Sequence, residues 1–509
     1  MSTNQTRSSL ASVIASSSVG TLIEWYDFYI FGFLAGPISN HFFPAANQTA
    51  SLLSTFAAFA AGFIVRPFGA LFFGRLGDII GRKYTFLVTL VMMGTTTFAI
   101  GLIPGYNTIG FLAPVLVLLM RLLQGLALGG EYGGAATYVS EHTEKSSRGY
   151  WTSWVQTTAT LGLFVALMVI MATRSSMSKE SFGAEWGGWR IPFLMSIVLV
   201  AVSIVIRLRM AESPLFAKLK DEGKTSTNPL KESFGNRENF RMVLLALFGA
   251  TMGQGVVWYT CQFYAHAFLK NTCNLDESQA DTWVSIALVL GTGFFVFFGW
   301  LSDKIGRKII ILTGMALALL FIKPLFQQLY SIASPKAKAG QEILDKRIGS
   351  ASHILAANKI DSVAVSDTTK VYADGSVFKR KVETTLFADP TKKPAGYAPK
   401  VTAVMTLADS NKWPLILPLF CLMLFVTMVY GPMAAFLVEL FPTRIRYSSM
   451  SLPYHIGNGV FGGLVPFLAT LIGSYNPTNP FAGLAYPIGV TALCFIIGAF
   501  ILPKNPAHA

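Results

Sequence analysis

Twelve apolar runs constrain this chain more than any other feature: 13–36, 51–73, 84–104, 111–138, 150–172, 191–209, 241–268, 282–301, 309–330, 413–437, 450–473 and 480–502. A helix rising about 1.5 Å per residue crosses a hydrocarbon core of about 30 Å in about 20 residues. Each run therefore predicts a membrane-spanning α-helix. Only 13% of the residues are charged, about half the share in soluble domains (about 25%). The first run holds Glu24 and Asp27 and follows a polar start with no basic cluster, which predicts a retained span and not a cleaved signal.

The net charge of +14 is distributed by topology. Arg75, Arg82 and Lys83 follow the second run, Lys145 and Arg148 the fourth, Lys304, Arg307 and Lys308 the eighth, and Arg444 and Arg446 the tenth. The odd connections 37–50, 105–110 and 474–479 hold no Lys or Arg. The positive-inside rule then predicts even loops and both termini in the cytoplasm of a multi-pass inner (plasma) membrane protein. The basic charge is read as facing the lipid bilayer's inner surface, with no nucleic acid as partner. Cys261, Cys421 and Cys494 fall in apolar runs and Cys273 in a loop, so neither disulfide nor metal spacing is present and no cofactor is expected.

GRLGDIIGRK, starting at Gly74, returns as GWLSDKIGRK at Gly299, an offset of 225. Glu141 and Arg148 recur as Glu439 and Arg446 at 298, and GTLIEWY at Gly20 recurs as GQGVVWY at Gly253 at 233. The spacing predicts two six-helix halves of the same orientation. Subtracting, 298 − 225 = 73 residues are inserted between Lys308 and Glu439, and the polar stretch 331–412 fits. The expected organisation is a first half over 1–209, a linker over 210–240, helices seven to nine over 241–330, the insert over 331–412, and helices ten to twelve over 413–509. Within the insert, Asp374-Gly375 between β-prone flanks predicts a hairpin, and Val401–Leu407 a further strand. The expected fold is an all-α membrane protein of twelve transmembrane helices in two pseudo-repeat halves, with a small extracytoplasmic, β-rich insert.

The repeated loop G-x-L-x-D-x-x-G-R-K resembles the signature of the major facilitator superfamily, and Arg121-Leu-Leu-Gln124-Gly125 resembles its second motif. EWYDF at Glu24, RPFG at Arg66, LALGGEYGGA at Leu126 and ELFPTRIRYS at Glu439 are similar to the metabolite:proton symporters, a family with permeases for shikimate, 2-oxoglutarate, citrate and proline or betaine. The resemblance implies alternating access, with the loops acting as a cytoplasmic latch that parts when the halves rock. Gly74, Asp78 and Arg82 form the first copy and Asp303 and Arg307 the second, with Glu141–Arg148 and Glu439–Arg446 as possible extensions.

Charges inside spans are expensive in lipid and mark sites. Glu24 and Asp27 share a helix face, and Asp27 or Glu24 lies at a depth comparable to Arg121, so an ion pair is expected there. Arg66 and Glu131 form a second candidate pair. Three acids against two bases leave one proton-binding carboxyl, drawn from Asp27, Glu24 and Glu131. The second half has Val257, Thr260, Leu419 and Val429 at the matching positions, which assigns proton chemistry to the first half. Its own contribution is Gln254, Trp258 and Tyr259, suited to a small organic substrate. Arg66 and Arg121 favour an anion such as a carboxylate metabolite. The alternative is a zwitterion such as proline or betaine, held by Trp25, Trp258 and Tyr259 through cation–π contacts, and a transporter-like receptor ranks lower. His266 and His455 read as polar residues near span ends. No phosphate loop or nucleophile elbow occurs, so no enzyme is expected; the proton is the coupling ion and a monomer the expected functional unit.

Overall fold

The structure is a computed structural model that describes residues 10–44, 48–80, 82–208, 221–222, 228–355, 362–389 and 399–503. The spans form α1 (Leu10–Phe33), α2 (Ala50–Gly77), α3 (Arg82–Leu102), α4 (Leu112–Glu141), α5 (Arg148–Ser175) and α6 (Ile191–Leu208), then α7 (Arg237–Asn271), α8 (Glu277–Ile305), α9 (Arg307–Ala333), α10 (Asp409–Leu440), α11 (Arg446–Tyr475) and α12 (Ala485–Ile501). Ten of these regions meet the length and hydropathy needed to cross a membrane. α1 and α3 complete the set; α1 is diluted by serines, Glu24 and Asp27, and α3 carries the apolar stretch Leu87–Leu102. The helices overrun the apolar runs at several ends because polar caps continue them. Asp276, for example, accepts from the backbone N–H groups of Ser278 and Gln279 and starts α8.

Glycines set how closely the helices pack. A Cβ on Gly125 of α4 would lie 1.8 Å from the carbonyl oxygen of Gly62 on α2, and one on Gly133 would lie 1.9 Å from Ser451 Oγ on α11. Gly149 of α5 and Gly299 of α8 meet at 2.6 Å in the same sense. Larger residues at these places would force the helices apart. The last two contacts join the first six helices to the last six, so the halves touch directly through backbone.

Several helices depart from α geometry, among them α2, α7 and α11, where polar side chains gather. Pro67 interrupts α2, which restarts at Arg66 after a turn at Val65. α7 carries π segments at Leu247–Thr251 and Tyr259–Tyr264, and α11 one at His455–Gly462. Such bulges re-aim side chains and concentrate at functional sites.

The insert is a four-stranded antiparallel sheet, β1 (Glu342–Leu355), β2 (Ser362–Tyr372), β3 (Val377–Leu386) and β4 (Lys400–Thr406), in sequential order. The hairpin falls at Asp374-Gly375 as expected: Val371 pairs with Val377, and Gly375 has φ +83°, the left-handed region that glycine tolerates. Partial burial alone would raise the Asp374 carboxyl, but Lys338, the Ser376 N–H and Asn411 hold it well below the usual carboxylate range. That ties the hairpin to the end of α9 and the start of α10.

Candidate functional site

The kink at Pro67 brings Arg66 into the centre of the bundle, fully buried. Its guanidinium lies 5.4 Å from the ring centre of Trp25, 5.8 Å from Phe28 and 5.2 Å from Phe63. It makes no ion pair with any described residue and its three nitrogens form no well-aligned hydrogen bond; the Tyr259 hydroxyl is the polar group set against it. Around it, both side-chain polar atoms of Gln254, both ring nitrogens of His455, Trp258 Nε1 and Asn458 Oδ1 are buried with no hydrogen-bond partner among the described residues, and the Tyr259 hydroxyl faces both Arg66 and Tyr29. Phe63 links Arg66 to Tyr259, with ring centres 5.1 Å apart, and a Cβ on Gly459, one turn beyond His455, would lie 3.3 Å from Arg66 Cδ. Buried polar groups in proteins are normally satisfied. A shell of this many unsatisfied donors and acceptors is built to receive a polar ligand.

The shell is closed at both ends. Toward the insert, Phe263 of α7 fills the notch at Gly32 and stacks on Phe33 at 5.6 Å. Toward the other end, Tyr132 of α4 stacks on Tyr454 of α11 at 3.4 Å, and Tyr454 shares a hydrogen bond of 2.9 Å with Tyr430 of α10. The halves therefore meet above and below the centre, an occluded arrangement.

The expected pairs between acids and bases in the first half do not form. Asp27 accepts from Ser196 Oγ of α6 at 2.5 Å. Arg121 donates to Gln124 Oε1 at 2.7 Å and to the Phe59 carbonyl at 3.4 Å, and lies 4.2, 4.5 and 4.9 Å from the rings of Phe28, Phe31 and Phe59. Gln124 in turn donates to Thr97 of α3 at 2.6 Å. Depth along a helix gave equal heights for Asp27 and Arg121 but not direction: Asp27 turns toward α6, and Arg121 meets the opposite, aromatic side of α1 at Phe28 and Phe31 and the Phe59 turn of α2. Arg66 likewise makes no bond to Glu131, whose carboxylate accepts from Thr21 Oγ1 on α1 at 3.2 Å. Glu24 is 1% exposed and Trp25 stacks on Tyr29 at 5.1 Å, with Trp258 at 6.2 Å.

A charged cluster joins the halves at the second copy of the repeated loop, with partners exchanged relative to expectation. The Asp303 carboxylate accepts from the N–H groups of Gly149 and Tyr150, both at 2.8 Å, at the start of α5 in the other half. Arg307 binds Asp303 at 2.7 Å and both oxygens of Glu439 at 2.6 and 2.5 Å. Arg148 reaches across to Glu439 at 3.5 Å and not to Glu141, while Arg446 donates to the Phe441 carbonyl and not to Glu439. The reason is that residues seven apart in one half end up facing the opposite half. Applying the repeat offsets, Asp303, Arg307, Glu439 and Arg148 map onto Asp78 (303 − 225), Arg82 (307 − 225), Glu141 (439 − 298) and Arg446 (148 + 298). The side chains of Asp78 and Arg82 lie outside the described residues. Gly74 of that copy does sit where the symmetry requires: its Cβ would lie 3.3 Å from the Tyr447 ring, and Tyr447 and Ser448 are the equivalents of Gly149 and Tyr150.

Asp303→Asn should loosen this end of the bundle. Two charge-assisted bonds to a helix N-terminus would be weakened, a loss of about 1.5–3 kcal/mol each at most. Spin labels at the exposed Tyr84 and Ile305 would then report a new, longer separation. An unchanged distance distribution would reduce the loop to a topological turn.

His455 and Asn458 were hidden by a reading that placed His455 at a span end; it is fully buried within the π segment of α11. The available signal was the run Tyr454, His455 and Asn458, three polar side chains inside an apolar span. Tyr29 and Ser196 offered no such signal, since a tyrosine or serine in a span is ordinary. His266 is also no loose end: its Nε2 meets Asp281 at 2.7 Å.

Two rocking halves around a central occluded polar shell, latched at one end, define a secondary transporter of the alternating-access kind. The family described as "Sugar (and other) transporter" matches residues 13–231, and "MFS/sugar transport protein" matches 134–330. The chain belongs to the major facilitator superfamily, within its metabolite:proton symporters. It is 36% identical to the alpha-ketoglutarate permease of Escherichia coli (strain K12) over 67% of this chain and 76% of that one. It is also 33% identical to a proline/betaine transporter of Salmonella typhimurium over 60% of this chain and 62% of that relative, less than two thirds of its length. A putative metabolite transport protein of Haemophilus influenzae matches at 31% over 98% of this chain and 95% of that one. Among solved structures, the proton:xylose symporter XylE bound to 6-bromo-6-deoxy-D-glucose has a TM-score of 0.66 at 14% identity, covering 98% of this chain and 96% of the other. That likeness concerns the fold.

Proposed function

We propose that the protein moves a small organic anion, a carboxylate metabolite, together with protons across an inner (plasma) membrane, with the decapeptide loops and both termini cytoplasmic. The observation that carries this is the uncompensated cation at the centre: Arg66 is buried with no ion pair to any described residue, and Arg121 beside it is held only by an amide, a carbonyl and ring faces. A guanidinium buried without a counter-charge is costly, and a carboxylate supplies the bidentate partner it lacks. The relatives named for alpha-ketoglutarate and citrate support this substrate class.

A zwitterion of the proline or betaine kind fits less well. A quaternary ammonium needs open aromatic faces, whereas Trp25, Tyr29 and Trp258 stack on one another at 5.1–6.2 Å and interplanar angles of 10–29°, with Arg66 beside Trp25.

Asp27 is the proposed proton carrier. It is 1% exposed and its hydrogen bond comes from a neutral hydroxyl, an environment that favours a neutral carboxyl; Glu24 and Glu131 are the alternates. Arrival of a substrate carboxylate at Arg66 and Arg121 would further disfavour a nearby negative charge, so anion and proton travel together. The proton acts as coupling ion with no resident cofactor, and the transport unit is one chain.

A thermal-shift screen tests the substrate class. Short carboxylates should raise the melting temperature, with saturation, and quaternary ammonium compounds should not; the reverse ranking would select the zwitterion. Sidedness is tested separately. A cysteine at the exposed Lys379 of β3, in a background freed of the native cysteines, should react with an impermeant maleimide in intact cells. Reaction only after permeabilisation would invert the topology.

A further inference from the structure

At the insert end, a cluster of ions joins the two halves. Arg174, in the last turn of α5, donates to Asp281 at 2.8 Å and lies 2.9 Å from Glu277, both in the first turns of α8 in the other half. Asp281 turns its second oxygen to His266 Nε2 at 2.7 Å, and Lys270 stands 3.6 Å from Glu277; these two come from the end of α7. The Phe182 ring packs 5.1 Å from the Arg174 guanidinium. Burial ranks the contacts. The side chain of Asp281 is 2% exposed and that of Arg174 16%, whereas Glu277 is 48% exposed, so the Arg174–Asp281 pair is the effective one and the Glu277 contact is largely screened.

The same turn of α8 is gripped by the insert. Met405 of β4 donates its N–H to the Asn274 carbonyl at 2.6 Å and accepts from the Asp276 N–H at 2.8 Å. Gln279 makes a matched pair with the Leu407 backbone, donating to its carbonyl and accepting from its N–H, both at 2.8 Å. Asn274 sits at φ +56°, a conformation uncommon for any residue but glycine, and the two Met405 bonds flank its neighbour Leu275. Gln279 is two residues from Asp281. The sheet is thus bonded to the helix turn that presents the carboxylates to Arg174.

We infer that the insert and this ion cluster are one device: β4 fixes the first turn of α8 so that Asp281 meets Arg174, and the insert thereby helps to hold the insert-side gate closed. The inference stands on contacts among these residues and does not depend on which substrate the centre takes. The cluster must part when that side opens, because its members lie on opposite halves.

The test uses the full chain in nanodiscs with spin labels at Asn107, between α3 and α4, and Thr478, between α11 and α12, both exposed at the insert end. Arg174→Gln should raise the ratio of long to short separations by about tenfold, and Arg174→Lys should restore much of the short population. Gln279→Ala, which leaves every charge in place, should shift the ratio in the same direction. Adding it to Arg174→Gln should produce little further change, since both act at one turn. An unaltered ratio in Arg174→Gln overturns the lock. No shift in Gln279→Ala, or effects that simply add, separates the insert from the gate and overturns the coupling.

Discussion

Arg66→Gln should move binding and stability in opposite directions. The arginine is buried with no carboxylate partner among the described residues, so its charge is a standing cost that the substrate relieves. Glutamine keeps polarity and much of the length but cannot offer a charged bidentate fork. Carboxylate affinity should fall by about a hundredfold, the value of one or two charge-assisted bonds. The melting temperature of the empty protein should rise at the same time, reflecting about 1 kcal/mol or more of relieved desolvation. Titration calorimetry and a melting curve on the same preparation check both. A variant that binds as well as the wild type, or one that is simply less stable, would remove Arg66 from the site.

Asp27→Asn should uncouple transport without abolishing it. The amide mimics a protonated carboxyl and can still take the hydrogen bond from Ser196. With one proton per substrate, a gradient of one pH unit supports about tenfold accumulation, or about 1.4 kcal/mol; the variant should show none. Exchange of internal for external substrate needs rocking but no net proton release, so it should continue. Glu24→Gln measured alongside should retain accumulation. If Asp27→Asn still concentrates substrate, the coupling carboxylate is Glu24 or Glu131.

The parts legible in the sequence were those written in periodicity and offset. Apolar run lengths gave the spans, and subtraction of two repeat offsets located an insert that contains a sheet between α9 and α10. Asp374-Gly375 gave the hairpin because the turn needs a left-handed residue and Gly375 supplies it. β1 was not legible, since Glu342–Leu355 mixes charged and apolar residues without alternation. The partners of charged residues were not legible either. Spacing along a helix fixes height and leaves azimuth open, so Asp27 and Arg121 could be matched in depth yet face different neighbours. Asp303, Arg307, Arg148 and Glu439 were singled out from the sequence, but Arg148 and Glu439 bond across the halves, a relation that only the docking of α5 on α8 creates. The π segments of α7 and α11, which bring His455 and Asn458 to Arg66, have no sequence signature of their own.

Carboxylate-evoked proton entry into sealed proteoliposomes is the most direct test of coupled anion transport through the Arg66 centre. With the membrane potential clamped at zero and a pH dye in the lumen, adding an external carboxylate that binds should acidify the interior in proportion to the carboxylate taken up, and Arg66→Gln should abolish both signals. Carboxylate uptake with no change in internal pH would contradict the account.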